Sequence, residues 1–97
     1  MTQPVSTTLF RIHTEGTREL AAQAITVVQS AFPAFTVLYG QGFWNGQDEE
    51  SIVIEVYAPL SALAQIKEVA EHIRRVNKQE AVLVASFPVE THLVVKE

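Results

Sequence analysis

The chain is 97 residues long, 47% hydrophobic and 19% charged, with seven Lys and Arg against eleven Asp and Glu, a net charge of −4, and no cysteine. Such an apolar fraction supports a packed core rather than a disordered chain, and the length suits one domain spanning residues 1–97. The missing cysteine excludes disulfide scaffolds, thiolate nucleophiles, Fe–S clusters and Cys-ligated zinc.

The elements follow in chain order. Thr7 to His13 alternates, with Thr8, Phe10 and Ile12 on one face and Leu9, Arg11 and His13 on the other. That period of two predicts a strand with Phe10 and Ile12 inward. Thr14-Glu15-Gly16-Thr17 supplies turn chemistry, with Thr17 as N-cap and Glu19 in the first turn of a helix. Leu20, Ala24, Val27, Val28 and Ala31 fall on one side of that helix. It should stop near Phe32, because Pro33 disfavours helical geometry in the residue before it.

Phe35 to Tyr39 is β-branched and aromatic and predicts a second strand, with Gly40 and Gly42 suggesting a bulge or a close backbone approach. Asn45-Gly46 accepts the two positive φ angles of a type I′ turn. Ser51 to Tyr57 alternates again, with Ile52, Ile54 and Val56 opposite Val53, Glu55 and Tyr57. The two strands therefore predict a long hairpin whose tip carries Trp44 to Glu50. Pro59 and Ser61 open a second helix, with Ser61 as its cap, striped by Leu63, Ile66, Val69, Ala70, Ile73 and Val76 and stopped by Asn77. Ala81 to Phe87 predicts a final strand, which Pro88 bends or ends, and Thr91 to Val95 a short extra one.

The order strand, helix, strand, strand, helix, strand is an α+β, ferredoxin-like βαββαβ plait. It has two helices on one face of an antiparallel sheet, with a short C-terminal extra strand. The other sheet face would then carry Leu9, Val53 and Tyr57, and Leu83, Ala85 and Phe87 in the matching register. That apolar area predicts self-association into a homo-oligomer.

Chemistry is sparser. Asp48-Glu49-Glu50 is the one carboxylate run, but adjacent strand residues point to opposite faces, so a solvated turn outweighs a Ca²⁺ or Mg²⁺ site. His13, His72 and His92 follow no ligand spacing, although His13 and His92 would lie on neighbouring strands and could approach. Glu55 with His13 is an acid–base pair on paper; no nucleophile elbow, zinc-protease helix or P-loop occurs, and Gly40-Gln41-Gly42 lacks the rest of a phosphate cradle. The less favoured alternatives are a small plait-type enzyme with a pocket between sheet and helices that uses His13, Glu55 or His92, and a metal-responsive protein that uses Asp48, Glu49, Glu50 or the histidines; no cofactor is indicated. Nucleic acid is disfavoured by the acidic balance and by Glu55 in the middle of the third strand. No apolar run approaches the ~20 residues of a membrane-spanning helix, and the first residues lack the basic-then-apolar pattern of a secretory signal, which points to the cytoplasm.

The hairpin Leu38-Tyr39-Gly40-Gln41-Gly42-Phe43-Trp44-Asn45-Gly46, followed by acids and Ile52-Val53-Ile54-Glu55, resembles that of the divalent-cation tolerance (CutA-like) family. The junction Gln79-Glu80-Ala81-Val82-Leu83 resembles one found in small plait domains of unknown function. Both belong with the PII-like plaits, and the resemblance implies a regulatory or ligand-binding homo-oligomer, a trimer assembled through its sheets. It also implies a small-molecule ligand at the subunit interface, near Tyr39, Gly40, Gly42 and Trp44. Arg74 to Lys78 stands where a glycine-rich nucleotide loop would be, and the hairpin is too short for the PII regulatory loop. ATP and 2-oxoglutarate binding are therefore not implied.

Overall fold

The computed structural model describes residues 4–97. Four strands and two helices are present: β1 (Pro4–Glu15), α1 (Arg18–Gln29), β2 (Thr36–Trp44), β3 (Gln47–Ala58), α2 (Leu63–Val76) and β4 (Leu83–His92). The strands form one antiparallel sheet in the order β2-β3-β1-β4. Its inner face is built by the alternation read above. Phe10 and Ile12 of β1 and Ile52, Ile54 and Val56 of β3 are almost wholly buried. They meet Ala21, Ala24, Val27 and Val28 of α1 and Ile66, Val69, Ala70 and Ile73 of α2. Each fully buried Ile or Val contributes about 1.5–3 kcal/mol relative to its exposed state, so this layer holds the helices to the sheet.

Local signals explain the ends of the elements. The Thr17 hydroxyl accepts the Leu20 N–H at 3.4 Å and caps α1. Asn45 and Gly46 have φ of 50° and 75°, so β2 and β3 are joined by the two-residue turn that their identities predict. Asn77 is the C-cap of α2.

Other expectations need correction. α2 does not start from a Ser61 cap: a 3-10 turn over Leu60–Ala62 leads into it, and no side chain caps its first N–H groups. The turn sequence Pro59-Leu60-Ser61-Ala62 holds the chain by its own backbone bond, Ala62 N–H to Pro59 C=O at 2.8 Å. The β2–β3 register is uniform from Thr36 opposite Glu55 to Trp44 opposite Gln47, so Gly40 and Gly42 make no bulge. The acids of the supposed tip are therefore strand residues of β3. Pro88 neither ends nor breaks β4, which runs through it to His92. As the sheet's outer strand β4 needs no hydrogen bond on its free side, where a proline is tolerated. The separate C-terminal strand does not form: Thr91 and His92 belong to β4, and Leu93–Glu97 have no regular structure. Among the described residues no helix is long and apolar enough to cross a membrane.

The outer face has no covering layer among the described residues. Leu9 stands opposite Tyr57 and Phe87, and His13 opposite Val53 and Leu83, so all the apolar residues expected on this face share it. Tyr57 is 57% exposed, Leu83 63% and Phe87 43%. At its centre the Arg11 Nε donates to Glu55 Oε2 at 2.7 Å, and the guanidinium lies 5.5 Å from the centre of the Phe87 ring.

Candidate functional site

One end of the outer face is hollowed. The β1–β3 pairing stops at Glu15 opposite Ser51, while β2 and β3 stay paired to Trp44 opposite Gln47. The hairpin thus projects as a two-stranded arm, and the molecule measures 46 × 24 × 22 Å. Across the end of β1 from this arm runs the connection from α2 to β4. Between them lies a cleft of about 640 Å³. Its floor comes from His13 and Glu15 of β1, Glu49 and Ser51 of β3 and Leu83 of β4, its arm side from Gly42, Phe43, Trp44 and Asn45, and its far wall from Lys78 to Ala81.

The wall is held in place by specific bonds. Lys78 adopts a left-handed conformation, φ 54°, immediately after the C-cap of α2. The Gln79 N–H donates to the Arg74 carbonyl at 2.9 Å and the Lys78 N–H to the Arg75 carbonyl at 3.2 Å. Together these form the Schellman pattern that closes a helix, with lysine in the place usually taken by glycine. Arg74 Nη1 donates to the Gln79 carbonyl at 3.2 Å, and the buried Thr14 hydroxyl donates to Gln79 Oε1. The Gly16 N–H donates to the Glu50 carbonyl at 3.0 Å, which ties the end of β1 to the base of the arm.

Two carboxyl groups meet on the floor. Partial burial raises the Glu15 carboxyl above its ordinary pKa of 4.5, and the hydrogen bond and like charge of Glu49 raise it further. Gly42 leaves room above them: a Cβ there would already lie 3.4 Å from the Ser51 Cβ.

Of the residues singled out from the sequence, Gly42 and Trp44 line the cleft, and Gly40 lies one step back on the same face, opposite Ser51. Tyr39 alternates to the other face, opposite Ile52, and lies outside the lining. The acid–base constellation is not assembled. Glu55 is engaged by Arg11, and His13 stands opposite Val53. His13 and His92 do not approach either: antiparallel pairing sets His13 opposite Leu83 and His92 opposite Pro4, at opposite ends of β1. Among the described residues no three His, Asp or Glu side chains gather as a metal-binding set, and Glu49 points away from Asp48 and Glu50.

Glu15, Glu49, Lys78, Gln79 and Glu80 were not singled out as a group. Glu15 reads as a turn residue and Lys78 as a helix end. Only the closure of the sheet brings both to the arm.

No family model matches the sequence, and no curated protein matches it. Among solved structures, CPII, a nitrogen regulatory PII-like protein from Thiomonas intermedia K12 bound to ADP, AMP and bicarbonate, aligns over 96% of this chain and 100% of its own. The TM-score is 0.68 at 12% identity. The fold is PII-like. A DUF3240 family protein from Shewanella baltica OS155 aligns over 93% of this chain and 97% of its own, with TM-score 0.74 and 11% identity. A phage SAM lyase in its apo state aligns over 95% and 92%, with TM-score 0.64 and 17% identity. The PII-like plait expected from the hairpin and the Gln79–Leu83 junction is thus the architecture observed.

Proposed function

We propose that this protein is a cytosolic, homotrimeric regulatory protein that binds a small ligand in the cleft between the hairpin arm and the Lys78–Ala81 connection. One observation carries the reading: the cleft opens on the same sheet face that leaves Tyr57, Leu83 and Phe87 exposed. Leu83 belongs to both, so a copy packed on that face would also form a wall of the cleft and make ligand binding depend on assembly. Gly42 and Trp44 are the ligand-contacting residues of β2, with Gly40 beside them. The number three comes from the PII-like resemblance, and a bound CPII supports a ligand-binding role on this fold. The lyase reading that the phage protein suggests is less favoured, because His13, Glu55 and His92 do not converge.

Light scattering on a sizing column tests assembly. The expected mass is three times the 10.8 kDa of one chain. Glu at both Tyr57 and Leu83 should give a folded monomer, because a carboxylate on an exposed strand face costs little in water and much in a dry interface. A wild-type monomer at micromolar concentration would refute the reading. So would a wild-type trimer left intact by the double substitution.

A further inference from the structure

Granted that ligand binds in this cleft, the groups around it narrow what the ligand is. Glu15, Glu49 and Glu80 line it against a single lysine, Lys78. Three carboxyl groups against one ammonium leave the cleft net acidic. The lining contains no arginine, the side chain best suited to grip phosphate or carboxylate. One aromatic ring on this face stands free to meet an occupant, that of Trp44 at 59% exposure.

On the far wall Gln79 is already engaged: its Oε1 accepts from Thr14 and, at 3.4 Å, from Asn77 Nδ2, while its Nε2 donates to the Ala81 carbonyl at 3.4 Å. A ligand that offers diffuse positive charge and an apolar surface finds carboxyl groups and an aromatic face, the combination by which proteins hold methylated onium groups.

We propose that the cleft takes a small organic cation, a quaternary ammonium or sulfonium centre resting on Trp44 and neutralised by the carboxyl groups of Glu15, Glu49 and Glu80, in preference to a nucleoside polyphosphate. The proposal fits the absence of a glycine-rich phosphate loop between α2 and β4, where Lys78 closes the helix instead. It also ties affinity to pH. Glu15 is faced by Glu49 from β3, by His13 two residues back on its own strand, and by Lys78 and Glu80 from the connection. Proton loss from Glu15, whose pKa is raised by burial and by Glu49, makes the cleft more negative, so cation affinity rises as pH climbs through its titration.

Trp44 is the protein's sole tryptophan, so its fluorescence reports directly on this site. The assembled protein is titrated at constant ionic strength with choline, with its uncharged carbon isostere 3,3-dimethylbutan-1-ol, and with ADP. Choline should change Trp44 emission saturably, with at least tenfold higher affinity than the isostere and higher affinity than ADP. Glu80→Gln, on an exposed connection, should weaken choline at least threefold and leave the isostere unchanged. Equal affinity for choline and isostere, or tighter ADP than choline, would overturn the cation preference while leaving the cleft a ligand site. Emission unmoved by all three in a protein confirmed as a trimer would overturn the cleft itself.

Discussion

Lysine at position 78 is the residue whose backbone is least suited to its side chain. Its φ of 54° lies in the left-handed region, where a Cβ crowds the following carbonyl at a cost of about 1–2 kcal/mol. Glycine removes that crowding, but it loses roughly 0.5–1 kcal/mol more conformational entropy on folding than a residue with a Cβ. The difference predicts that Lys78→Gly stabilises the protein by about 0.5–1 kcal/mol. At roughly 4–8 °C per kcal/mol for a domain of this size, the melting temperature should rise by about 2–8 °C.

Lys78→Ala is the control. It removes the same charge and the same methylene stem but keeps the Cβ, and should stay within about 0.5 kcal/mol of wild type. Calorimetry or urea titration at one fixed protomer concentration separates the two, since the stability of an oligomer varies with concentration. Glycine no more stable than alanine would mean that the Schellman closure between Arg74 and Gln79 does not hold in solution. The wall of the cleft would then be misplaced. A left-handed lysine kept where glycine would fit better is also the kind of local strain found at binding sites, and here the residue sits on the cleft wall.

Two further outcomes follow from the structure. Ile54→Ala, which empties a fully buried position in the core between sheet and helices, should cost about 2–5 kcal/mol by chemical denaturation; a smaller loss would show that the core collapses around the gap. The Glu71 carboxyl, hydrogen-bonded first by Arg74 and also by Arg75, is lowered to about 2. A lowered acid contributes stability that is fully present above its ordinary 4.5 and is lost as pH falls toward 2. Melting temperature should therefore drop less steeply across pH 4.5 to 2 in Glu71→Gln than in wild type, and parallel curves would refute the pairing.

What was legible in the sequence is what depends on neighbours in sequence. Alternation placed Phe10 and Ile12, and Ile52, Ile54 and Val56, on the inner face, because a strand's period is a property of the backbone alone. Asn45-Gly46 specified its turn for the same reason. Pro88 misled because its tolerance depends on whether β4 lies at the sheet edge, which is set by strands far away in the chain. Of the two readings of the β2 glycines, the bulge is absent because it needs an unpaired residue, and β3 matches β2 residue for residue to the turn. The site was half legible. Gly42 and Trp44 lie on the strand that showed them, but Glu15, Glu49 and Lys78 come together only when three separate segments meet.

The strand β1 is central in the sheet and earliest of its strands in sequence, and from Pro4 to His13 it pairs with β4, the latest of them, Pro4 opposite His92. A chain leaving the ribosome can form the β2–β3 hairpin and add β1 to it, but one side of β1 then waits for β4, which is synthesised only after α2. Until β4 arrives, the strand that carries Phe10 and Ile12 is an open edge, able to pair with any other strand nearby. Such long-range closure places folding among the slower topologies. It also makes the docking of the ten-residue β4 the step that turns a sticky intermediate into a closed sheet. Loss of even a few residues before His92 would act on solubility during synthesis as well as on final stability.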